Sequence, residues 1–127
     1  MAHDEFLSWP EDLQDLIDDI GTVEGLDIMC LVARDESRAW RLEELCEQLA
    51  IDRFALDHAV RRLVASRLLE RLSDGRVCGV RASPSRHTSL TALSRLCEQD
   101  RANVLGAIAH SSISRIRSSA VRTFVRR

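Results

Sequence analysis

Residues 42–71 read LEELCEQLAIDRFALDHAVRRLVASRLLER. Leu42, Leu45, Cys46 and Leu49 recur at helical spacing, the pattern breaks at Ala50 to Asp52, and Leu56, Ala59, Val60 and Leu63 then resume it. The spacing predicts one helix from Leu42 and a second over 53–66. Asp52 suits the N-cap of the second helix, because its carboxylate can accept from the free amides of the first turn. Beyond it, Leu69 and Leu72 alternate with Glu70 and Arg71, and Asp74-Gly75 stands at the centre of a turn before Val77, Gly79, Val80 and Arg81. That pattern predicts a β-hairpin over 69–81.

Working outward toward the N-terminus, residues 23–34 carry a largely apolar helical pattern with Leu26, Met29, Cys30 and Val32 or Ala33 available to a core. Gly25 within it weakens the helix in isolation. Asp35, Glu36 and Ser37 read as a turn, and Arg38 to Arg41 as a very short strand with Trp40 turned inward. Earlier still, SWPEDLQDLIDDIG (8–21) has Ser8 three residues before Glu11, Pro10 in the first turn and Gly21 at the close. Leu13, Leu16, Ile17 and Ile20 form one stripe of this short helix, and four aspartates give it an acidic outer face.

Toward the C-terminus, SPSRHTS (83–89) has the composition of a linker. A long helical pattern then runs over 90–127, with breaks expected near Gly106 or at Ser111 and Ser112. Its apolar positions include Leu93, Leu96, Val104, Leu105 and Ile108, continued by Ile113, Ile116, Ala120 and Phe124. The organisation expected is an acidic helix at 1–22, a central domain at 23–82, a linker at 83–89 and a helical docking or dimerisation region at 90–127. The fold class expected is mainly α with one small β-hairpin.

With 127 residues, 45% of them apolar, the chain can build one compact core. It has no apolar run long enough for a bilayer, and its start, MAHDEF, is acidic where a secretory signal is cationic, so a cytoplasmic location is expected. The formal net charge of -2 conceals a division. Residues 1–50 hold 14 acids against 3 arginines, and residues 51–127 hold 15 arginines against 6 acids. Such asymmetry suggests that one half faces a polyanion. Every cation apart from histidine is Arg. The four cysteines lie far apart, with no CxxC pair and no zinc-finger offset, so no metal site is expected, and buried inert thiols are expected ahead of the alternative, redox sensing. No phosphate loop, HExxH or nucleophile elbow is present, which leaves no motif for an enzyme or a cofactor.

The series Leu42, Leu45, Leu49, Ile51, then Leu56, Ala59, Val60, Leu63, then Leu68-Leu69-Glu70-Arg71 and Asp74-Gly75-Arg76-Val77 resembles the winged helix-turn-helix of bacterial MarR-like transcription regulators. The resemblance is at superfamily level, over about residues 23–82. It implies a homodimer on double-stranded DNA, helix 53–66 in the major groove and the hairpin as a wing. It also implies contacts between subunits through terminal helices. One departure is Arg67, where many such domains have Gly. A positive φ there costs an Arg on the order of 1 kcal/mol, unless the helix runs a residue or two longer.

At about 100° per residue, Leu56, Val60, Leu63 and Ala59 define the inner arc of helix 53–66. The opposite arc holds Phe54, His58, Arg61, Arg62 and Ala65. Arg61 and Arg62 suit phosphates or a guanine edge, His58 a base or phosphate, and Phe54 a thymine methyl. Arg53 at the helix start, with Arg71, Arg76 and Arg81 on the wing, completes the expected DNA-contacting set. Competing readings are that Arg61 pairs with Asp57, that Arg62 is a solvated charge, and that Phe54 meets a protein partner. The alternative for the whole chain is therefore a winged-helix protein-interaction module without direct DNA binding. The acidic N-terminal helix is a candidate surface for a protein partner or for the Arg-rich tail, and Arg115, Arg122 and Arg126 line one face of that tail.

Overall fold

A computed structural model describes residues 8–80, 84–111 and 113. The order of elements is α1 (Glu11–Ile20), α2 (Val23–Arg34), α3 (Leu42–Leu49), α4 (Arg53–Ala65), β1 (Leu69–Arg71), β2 (Val77–Gly79) and α5 (Pro84–Gln99). A further helix, α6, covers 101–111. The fold is mainly helical with a small two-stranded antiparallel hairpin, as the sequence predicts.

Each helix begins and ends for a local reason. Pro10 stands at the N-cap of α1, one position outside the helix, and its own side chain makes no capping bond. Gly21 closes α1 at φ 69, a left-handed conformation in which its N–H donates to the Ile17 carbonyl. Thr22 caps α2 by accepting from the Gly25 N–H at 2.9 Å. A Cβ at Gly25 would lie about 3.0 Å from Thr22 Oγ1 and 3.1 Å from the Ile20 carbonyl, so this glycine keeps the junction close. Ala50 ends α3 at φ 54, and Asp52 then accepts from the Ala55 N–H at 2.9 Å to start α4.

Arg67 adopts φ 61, so the chain turns out of α4 in the left-handed region without a glycine. The turn is tied by the Leu68 N–H donating to the Leu63 carbonyl at 2.9 Å. The hairpin pairs Leu69 with Gly79, Glu70 with Cys78 and Arg71 with Val77. Trp40 pairs with the other side of β2 through an isolated bridge to Val77, its N–H and carbonyl exchanging bonds of 2.7 and 2.8 Å with that residue. Trp40 is 4% exposed and turned inward as expected, but the short strand expected over Arg38 to Arg41 reduces to this single bridge. The bridge anchors the hairpin to the segment that precedes α3.

One contiguous core joins all the helices. Leu16, Ile17 and Ile20 of α1, Leu26 and Ile28 of α2, Leu45 of α3, Leu56, Val60 and Leu63 of α4, and Leu69 and Val77 of the hairpin share it with Leu93, Val104 and Ile108. Burial of this many branched side chains is the main driving force, at roughly 1.5–3 kcal/mol for each one fully removed from water.

Three expectations change beyond the hairpin. Residues 84–89 are the opening of α5, because Pro84 fits the first turn of a helix and Ser89 and Leu93 then face the core. The helical break falls at Asp100, whose carboxylate accepts from the Asn103 N–H at 3.3 Å, and Gly106 lies inside α6. The described part of region 90–127 is also part of the core, since α5 packs on α1 and α2. Residues 114–127, with Arg115, Arg122, Arg126, Ile116, Ala120 and Phe124, lie outside the described residues.

Candidate nucleic-acid interface

α4 is held by its inner arc and by the flank that carries Arg62. Leu56, Ala59, Val60 and Leu63 are buried, against α2, α3 and β1, as the sequence predicts. The other side of the helix carries Phe54, 86% exposed, with His58, Arg61 and Ala65 also exposed. No described element covers this face. A helix so supported can enter a groove without losing any core contact.

The arginines of the expected site divide by what already holds them. Asp57 is engaged by Arg53, whose Nε lies 2.9 Å from its carboxylate, and Arg53 Nη1 also reaches Glu43 at 3.1 Å. The hydrogen bonds that Arg53 donates to Asp57 and then to Glu43 raise its pKa above the ordinary value. Glu43 in turn is held below the usual carboxylate range by a backbone N–H and by Arg53. With Asp57 so occupied, it forms no pair with Arg61. Arg61 is exposed and has no ion-pair partner among the described residues.

Arg62 does not belong with Arg61. It is half-buried, and its Nη2 donates to the Asp18 carbonyl at the end of α1 over 2.9 Å. Its guanidinium packs on Gly21, where a Cβ would collide with it. Nε is buried without a partner among the described residues. Ser66 Oγ, one turn on, donates to the Asp19 carbonyl at 3.4 Å. The reason is angular: Arg62 lies only about 60° past Ala59 on the helical wheel, at the edge of the buried arc, and α1 covers that flank. Arg62 is therefore a structural cation at a helix C-terminus, where the exposed carbonyls and the helix dipole favour positive charge.

On the hairpin, Arg71 is exposed and has no ion-pair partner among the described residues. Arg76 stands at the turn, but Asp74 accepts from both its backbone N–H (3.0 Å) and its Nε (2.7 Å). Those two bonds hold the Asp74 carboxyl below its ordinary pKa. Gly75 takes φ 88, as Asp-Gly at the turn centre predicts, and the Leu72 N–H donates to the Arg76 carbonyl at 2.8 Å. Arg81 lies outside the described residues. Arg67, at the corner between α4 and β1, is exposed and was missed as a cation, because the sequence flags that position only for its backbone.

The acidic half turns inward upon the same molecule. Arg86 of α5 pairs with Asp19 at 2.7 Å, Ser111 Oγ donates to Asp18 at 2.5 Å, and Arg101 pairs with Asp27 at 2.8 Å. The apolar stripe of α1 is buried in the chain's own core, which leaves only its acidic face outside. The exposed large hydrophobic residues among those described are Val23, Phe54 and Ile113, far apart in the sequence. No helix among the described residues is long and apolar enough to cross a membrane. His87, expected in a linker, lies on α5 with Nδ1 3.5 Å from Glu36. A cavity of about 630 Å³ opens beside it between α2, the hairpin and α5, with Met29, Val32 and Leu68 among its lining.

No family model matches the chain, and neither a curated protein nor a solved structure matches it.

Proposed function

We propose that the chain is a winged helix-turn-helix that binds double-stranded DNA as a transcription regulator, with α4 in the major groove and the β1–β2 hairpin as the wing. The observation that carries this reading is the bare outer face of α4, with Phe54, His58 and Arg61 exposed on a helix whose core contacts all lie on the other side. A compact helix of this width fits the major groove, and its exposed side chains then reach base edges and phosphates. The central cations are Arg61 and Arg71. Arg53 and Arg76 contribute after exchanging carboxylate partners for phosphates, which lowers the affinity gained from each. Arg62 supports the reading helix by fixing it to α1.

A second reading has its own observation. Phe54, the most exposed large apolar side chain among the described residues, and the carboxylates around Arg53 suit a protein partner better than a polyanion. In that case the same α4 face is a protein-interaction surface.

Selection of genomic fragments by the purified protein at two salt concentrations separates the two. The first reading predicts enrichment of discrete duplex sites that weakens at the higher salt, because phosphate contacts release counterions. A flat profile at both concentrations contradicts it and favours the second.

A further inference from the structure

Cys30 on α2 and Cys97 on α5 are 67 residues apart in sequence, and their sulfurs lie 3.2 Å apart. Both are free thiols and both are half-buried. Neither is packed away in the way the sequence suggests. They line a cavity of about 300 Å³ whose walls also include Arg34, Gln48 and Arg101, so a small polar molecule can reach them. Among the described residues no cluster of three or more metal-ligating side chains forms, so the pair lacks the further ligands of a metal centre.

We propose that Cys30 and Cys97 form a peroxide-reactive dithiol site that closes to a disulfide between α2 and α5. The two sulfurs need approach by only about 1 Å to reach the bonded separation of roughly 2.0 Å. α2 and α5 already pack together, so closure requires a local side-chain adjustment.

The surroundings assign the order of events. The Cys30 S–H donates to the Cys97 sulfur, and this bond and then Arg101 hold the Cys97 thiol below its ordinary pKa, against the opposing effect of burial. The same bond, with burial, pushes Cys30 well up. Cys97 is therefore the thiolate that attacks. Its sulfur forms a bond to one peroxide oxygen as the O–O bond breaks, giving a sulfenic acid and hydroxide, which takes up the proton released when the thiolate formed. The Cys30 sulfur then attacks the Cys97 sulfur, the S–O bond breaks, and the Cys30 proton leaves with the hydroxyl as water. Two thiols are oxidised by two electrons and one hydrogen peroxide is reduced to two waters. Arg101 and Gln48 stand at the same cavity, with N–H groups suited to the departing oxygen.

The test uses the full reduced chain treated with stoichiometric hydrogen peroxide, then denatured, alkylated and cut with trypsin. The expected result is an intact mass lower by two hydrogen atoms, and a peptide pair joining residues 1–34 to Leu96–Arg101. The Cys46→Ser, Cys78→Ser double variant should retain this link, and Cys30→Ser should lose it while Cys97 accumulates a sulfenic acid that dimedone traps. Wild-type Cys30 and Cys97 that remain fully alkylated after peroxide overturn the proposal. So does oxidation confined to Cys46, Cys78 or bonds between chains. Because the wild-type map decides the question, a poorly folding variant leaves the test intact, and neither result bears on DNA binding.

Discussion

Arg62 ties α4 to the C-terminal end of α1. It follows Arg61 directly, yet a step of about 100° around the helix moves it from the open face to the flank beneath α1. There it donates to the Asp18 carbonyl and fills the space over Gly21. Arg62→Ala should therefore lower stability by about 1–2 kcal/mol, since the hydrogen bond and the packing of the side-chain stem are both lost. Gly21→Ala should cost at least about 1 kcal/mol, because a Cβ is strained at φ 69 and collides with the guanidinium. In a denaturation cycle the double variant should be less destabilised than the sum of the two, since removing Arg62 removes the collision. Strict additivity would contradict the contact. Arg67 makes the complementary point: the sequence marks the turn out of α4, and the chain makes it with an arginine at positive φ.

At the scale of elements, sequence pattern was most informative wherever one signal sufficed. The inner arc of α4, the Asp52 cap, the Asp-Gly turn and inward Trp40 are all local or periodic, and the structure has each of them. Residues 84–89 misled because Ser, Pro and His signal a loop by composition, although Pro at a helix start is compatible with the helix and the burial of Leu93 supplies the energy. The break at Asp100 was hidden for a similar reason, since Gly106 and Ser111 are weaker helix formers but sit on a helix anchored by Val104 and Ile108. The hairpin tip carries a pH prediction. The folded-state pKa of Asp74 is depressed, so its stabilisation of the turn is fully present above the ordinary aspartate value and is lost as pH falls through the folded value. The turn at Arg76 should stay ordered down to about pH 4 and loosen only in stronger acid. A carboxyl titration by NMR checks this, and an ordinary aspartate midpoint would contradict it.

For the whole molecule, the division of charge has a structural use. The Asp19 carboxylate of acidic α1 takes Arg86 and the Asp18 carboxylate takes Ser111, so part of the negative half is used in holding α1 on α5 and α6, while the backbone carbonyls of the same two residues accept from Arg62 and Ser66 of α4 and its cap. Sequence gave the asymmetry but not its resolution, because long-range ion pairs have no periodic signature. Of the expected DNA-contacting arginines, the fold leaves Arg61 and Arg71 without ion-pair partners among the described residues, holds Arg53 and Arg76 in surface pairs, and withdraws Arg62. Surface pairs of that kind are weak because water screens them, and they can be exchanged for phosphate. Arg61 and Arg71 therefore rank above Arg53 and Arg76 as phosphate contacts, and Arg62 drops out. The most direct test is duplex DNA binding by the wild type, Arg61→Glu and Arg71→Glu, measured by fluorescence anisotropy across a salt series. Salt-sensitive wild-type binding is expected, with a loss of at least about tenfold for each variant and a salt slope reduced by about one per phosphate contact removed. Wild-type binding that is absent, or that both charge reversals leave unchanged, would contradict it.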